Sequence, residues 1–113
     1  MEINLKKMLP MLEDEQLNEL VDRVLNSETK EYKGVSLNNI LPFLSDEKID
    51  EILYLLITKK ESVRTLLPFV SEKTLHDVVE KALNDELEID LDVFYPFLSD
   101  EDIQLIFKKA ISE

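Results

Sequence analysis

Apolar residues recur along this chain at fixed distances from its four prolines, Pro10, Pro42, Pro68 and Pro96, which stand 32, 26 and 28 residues apart. Five residues before each proline is Leu5, Leu37, Val63 or Leu91. Immediately before it are the pairs Met8-Leu9, Ile40-Leu41, Leu66-Leu67 and Phe94-Tyr95, and immediately after it Met11-Leu12, Phe43-Leu44, Phe69-Val70 and Phe97-Leu98. Apolar positions return 7, 10, 11, 14 and 15 residues beyond the proline. In the second copy these are Ile49, Ile52, Leu53, Leu56 and Ile57, and in the fourth Ile103, Ile106, Phe107, Ala110 and Ile111. All four copies keep all ten positions, so the chain is an internal repeat.

The later offsets are the i, i+3, i+4, i+7, i+8 stripe of an amphipathic helix. Ser45, Ser71 and Ser99 stand three residues after their prolines, where a hydroxyl can accept an orphan backbone N–H as an N-cap; Asp14 is the expected cap in the first copy. Acidic residues follow (Asp46-Glu47, Glu72, Asp100-Glu101) at the end where the helix dipole favours them. A shorter helix precedes each proline, opened by Asn4, Ser36, Ser62 or Asp90. Proline inside it removes a backbone hydrogen bond, so the short helix is either kinked or ends there. The repeats span 3–26, 35–58, 61–84 and 89–112 of a single domain, 1–113. Of the linkers, "SETKEYKG" at 27–34 is the longest and holds the one glycine, and mobility is expected there. Neither helix of a repeat can bury its stripe alone, so neighbours must stack.

A proline-bearing helix, the turn "LPFLSD" and a second amphipathic helix resemble the HEAT-type repeat. The resemblance implies an all-α fold, four short-helix/long-helix hairpins stacked as a small α-solenoid that binds other proteins. The period here is shorter than the roughly 40 residues usual for HEAT repeats.

Composition narrows the function. With 13 basic and 25 acidic residues the net charge is −12, which disfavours direct binding to nucleic acid or to an acidic membrane surface. No apolar run approaches the roughly 18 residues of a membrane span, and the N-terminus lacks the pattern of a secretory signal. Cysteine is absent, which removes disulfides and thiolate chemistry; a cytoplasmic protein is expected.

Catalysis is not expected. His76, the one histidine, falls off the apolar stripe at a place where the other copies carry Asn18, Asp50 and Gln104, and reads as a solvated surface residue. The carboxylate pairs sit at helix N-termini, where capping and dipole effects account for them. No cofactor is implied. The acids of "NDELEIDLD" at 84–92 alternate as in a calcium loop, but the sixth and twelfth places from Asp85 hold Asp90 and Pro96 rather than glycine and glutamate; at most a weak divalent-ion site remains.

Two departures from the repeat point to a binding surface. Nine residues after the proline, three copies carry Glu19, Glu51 and Asp77, but the fourth carries Leu105. At twelve and thirteen residues the second copy has Tyr54-Leu55 where the others are charged. Tyr54, Leu55 and Leu105 are therefore candidate contacts for a protein partner or a second copy. The expected function is a non-catalytic helical-repeat module for protein–protein interaction. The alternative is an acidic decoy that imitates nucleic-acid charge toward a basic protein, carried by Asp85, Glu86, Glu88, Asp90, Asp92, Asp100, Glu101 and Asp102.

Overall fold

Polar side chains placed six residues before Pro10, Pro42 and Pro96 open single helical turns, α1 (Leu5–Met8), α3 (Leu37–Ile40) and α6 (Leu91–Phe94). They do so in a computed structural model that describes residues 1–112. Asn4 Oδ1 accepts the Lys7 N–H at 3.2 Å, Asp90 Oδ1 accepts the Asp92 N–H at 3.0 Å, and the Ser36 N–H donates to Asn39 Oδ1 at 3.0 Å. Each run then tightens into a 3₁₀ turn with proline second, at Leu9–Met11, Leu41–Phe43, Leu67–Phe69 and Tyr95–Phe97. Proline is tolerated there because an opening turn asks for no N–H at that place. The short element therefore ends at proline. In the third repeat no α-helical turn precedes it, and the Leu66 and Leu67 N–H groups both reach back to Val63 O.

The long helices are α2 (Asp14–Leu25), α4 (Asp46–Thr58), α5 (Glu72–Leu83) and α7 (Asp100–Ser112). Ser45, Ser71 and Ser99 accept the N–H of Lys48, Thr74 and Asp102, each at 3.2 Å, as capping requires. In the first repeat the cap falls one residue earlier than expected. Glu13 takes it, and its N–H donates to Gln16 Oε1 at 3.0 Å. Asp14 is the first helical residue instead, placed toward the positive end of the dipole.

Two helix C-termini are closed without glycine. Past α4, Lys60 has a φ of 59°, and the N–H groups of Lys60 and Glu61 return to Ile57 O and Leu56 O. Past α5, Asp85 has a φ of 61°, and Asp85 and Glu86 return to Ala82 O and Lys81 O. These are paired Schellman closures in which a side chain tolerates left-handed backbone that glycine would adopt freely. Asp85→Gly is accordingly expected to raise the urea midpoint with unchanged slope, a gain of up to about 1 kcal/mol. A fall in the midpoint would contradict this account of the closure.

The segment 27–34, expected as a mobile linker, ends in a hairpin. β1 (Glu31–Tyr32) pairs antiparallel with β2 (Val35–Ser36), and Tyr32 faces Val35. The two-residue turn is Lys33-Gly34, with φ of 47° and 83°. Positive φ at both places matches the twist of a tight hairpin, and glycine supplies the second without strain. Val35 is buried, β1 packs on α2, and the Tyr32 ring lies 5.8 Å from the Arg23 guanidinium carbon. Among the described residues the rest of the regular structure is helical.

The chain divides into two compact units, Met1–Ile49 and Asp50–Glu113. In the first, α3 packs on α2, and Leu17, Leu20, Val21, Val24 and Ile40 are buried. In the second, α5 packs on α7, and Ile52, Leu53, Leu66, Leu75, Val78 and Phe94 are buried. Ile106, expected in the core beside Ile52, is only half-buried. No helix of the described residues is long and apolar enough to cross a membrane.

Candidate protein-binding surface

Successive residues of a helix advance by roughly 100°, so the offsets 9, 12 and 13 fall opposite the buried stripe. Tyr54, Leu55 and Leu105 occupy that outward sector. Leu55 on α4 and Leu105 on α7 are both exposed. Tyr54 is half-buried and engaged within its own unit. Lys81 Nζ of α5 lies 4.6 Å from its ring centroid and donates to its hydroxyl at 3.2 Å. The hydrogen bond to Tyr54, more than any nearby charge, raises the Lys81 ammonium above its usual pKa. Leu55 and Leu105 thus occupy the same sector of their helices, α4 and α7.

Of the acidic group, Asp85, Glu86, Glu88, Asp90, Asp92, Asp100 and Glu101 are exposed. Glu88 pairs with Lys60 at 3.3 Å, and Asp90 is occupied as the cap of α6. No group of three or more described acids or histidines is placed to hold a metal ion. Beside this segment a cleft of about 470 Å³ has an apolar floor that includes Ile57, Val63 and Phe94, with Lys60, Arg64 and Glu88 at its rim.

Asp102 departs from the group, being 2% exposed. Its carboxylate lies against α5, with Oδ1 2.6 Å from His76 Nδ1, while His76 Nε2 lies 3.0 Å from Glu80 Oε1. His76 is therefore not simply a solvated residue. The hydrogen bond to Asp102 raises its pKa, burial opposes this, and the charges of Asp102 and Glu80 add to the rise. With both ring nitrogens held by carboxylates, the imidazole is favoured in its charged form. The arrangement binds two helices together.

A second contact repeats it. Thr74 Oγ1 of α5 donates to Asp50 Oδ2 of α4 at 2.9 Å. Asp50 and His76 both stand eight residues after their prolines, and Thr74 and Asp102 both stand six residues after theirs. Twice in this unit, then, the eighth place of one long helix meets the sixth place of the next. The polar eighth places stand out in the sequence; their partners are marked there only by a complementary polar residue at the sixth place of the following copy. No protein-family model matches this chain, nor does any curated protein or any solved structure.

Proposed function

We propose that this chain is a non-catalytic helical-repeat module whose work is to bind another protein, its repeats stacked in the manner of a small HEAT-like solenoid. The observation that carries the reading is the surface of α7. Ile103, Phe107 and Ile111 occupy offsets that are buried or half-buried in the other three long helices, yet here they stand in solvent, flanked by exposed Leu105. A contiguous apolar strip of this kind on one helix of an acidic protein marks a contact site. The recurring step from eighth to sixth place supports the stacked arrangement, since a polar contact at the same places joins the second repeat to the third and the third to the fourth.

Charge offers the second reading, because seven of the acids proposed for a decoy are exposed. Capture of partners on immobilised protein at low and high salt separates the two. The interaction module is expected to hold its partner as salt rises and to lose it on Leu105→Glu or Phe107→Glu with helicity unchanged. A decoy loses its partner with salt, since exposed charges are screened beyond about 10 Å at 0.1 M, and is indifferent to both substitutions.

A further inference from the structure

We propose that the apolar strip on α7 docks the first repeat of a second copy of this chain, head to tail, by the contact that joins successive repeats within it. The inference rests on the interaction reading above and names its partner. The repeat makes the two exposed surfaces comparable position by position. Two residues before the proline, Met8 is 37% exposed, whereas Ile40 and Leu66 are 0% and Phe94 is 2% exposed. One residue before it, Tyr95 is 41% exposed, whereas Leu9, Leu41 and Leu67 are 1–2% exposed. Eleven residues after it, Phe107 is 58% exposed, whereas Val21, Leu53 and Val79 are each 0%.

Exposure therefore changes in opposite senses at the two ends of the repeat series. One set of positions is uncovered only in the first copy and another only in the fourth. In the first unit Ile40, the counterpart of Met8, lies on α3 where it packs on α2, so this position faces the preceding long helix. The counterparts of Phe107 include Val21 on α2, against which α3 packs, and Val79 on α5, against which α7 packs, and both are fully buried. Met8 is thus half of an inter-repeat contact, and Tyr95, Phe107 and Ile111 are the other half.

The polar register agrees. The eighth place of the fourth repeat is Gln104 and the sixth place of the first is Gln16, both exposed. They are the one pairing the step leaves to be made between copies, and two amides have the donors and acceptors to make it. Charge favours the same occupant. Lys6 and Lys7 flank Met8 at the head, while Asp100 and Glu101 open α7 at the tail. Because the two surfaces differ, the contact is heterologous, and a variant lacking either one still carries the other. A contact made by one helix strip and one short helix is expected to form at high protein concentration.

The test is sedimentation across micromolar to millimolar protein, with far-UV circular dichroism confirming helicity. The wild-type mass is expected to rise above the 13.2 kDa monomer. Phe107→Glu at the tail and Met8→Glu at the head are each expected to remain monomeric, and their equimolar mixture to regain one contact and form pairs. Met8→Lys serves as a second head variant of opposite charge and should fail in the same way. A wild type that stays monomeric throughout would overturn self-docking, and if Phe107→Glu still loses a captured partner, the broader interaction reading stands without it. A mixture that stays monomeric also overturns it. So does a Met8→Glu variant that associates like wild type, which would indicate tail-to-tail pairing.

Discussion

Phe94→Ala is expected to cost about 3–5 kcal/mol, a large share of the roughly 5–15 kcal/mol that holds a domain of this size folded. Phe94 closes α6 and is 2% exposed, so truncation removes the buried ring and leaves a cavity that rigid neighbours fill only partly. Its position also bears on the repeat. It stands two residues before the proline, as Ile40 and Leu66 do, and all three are buried. Phe107→Ala provides the internal control, since it removes an equal ring from a position largely in solvent. That change is expected to stay within about 0.5 kcal/mol, as for ordinary surface substitutions. Urea midpoints of the two variants beside wild type decide the matter. Equal losses would mean that α7 is covered in solution, and a negligible loss at Phe94 would mean that the buried face has been misassigned.

The long helices were legible in the sequence because independent signals agree: the apolar stripe and the acidic first turn on all four, and the serine cap on α4, α5 and α7. Ser45, Ser71 and Ser99 cap as their spacing requires. Segments whose geometry depends on backbone conformation were less legible. With one glycine in the chain, left-handed closures at Lys60 and Asp85 carry no compositional mark. The hairpin at 31–36 has only two residues per strand, too few to show alternation. The largest omission was polar. Asp102 was counted with its exposed neighbours because charge alone does not say which way a helix faces. Its burial follows from its being one edge of α7, roughly 100° from the apolar stripe and turned toward α5. A partner 26 residues away, His76, is what allows a carboxylate to stay there.

Removing that partner is expected to have the next largest effect, outside the range of ordinary surface substitutions. His76→Ala leaves the Asp102 carboxylate buried against α5 without the imidazole that compensates it. Position relieves part of this cost, because Asp102 lies in the first turn of α7 near the positive end of its dipole. Asp102→Asn is the milder change, since half-exposed His76 can turn to Glu80 and water. The two variants share a signature in pH. His76 is raised above 6.5 in the folded protein, by Asp102 from α7 and by Glu80 from its own helix. A group raised in this way takes up its proton more tightly when folded. Its contribution is complete below the unfolded value of 6.5 and is lost as pH rises through the higher folded value. The thermal midpoint of wild type is therefore expected to fall, as pH rises above 6.5, more steeply than that of His76→Ala or Asp102→Asn. The differences between wild type and variants should shrink as alkaline pH removes the proton that the pair shares. High salt should change them little, because a contact with one member buried is weakly screened. Parallel midpoint curves for all three proteins would show that the His76–Asp102 pair does not hold α7 to α5 in solution.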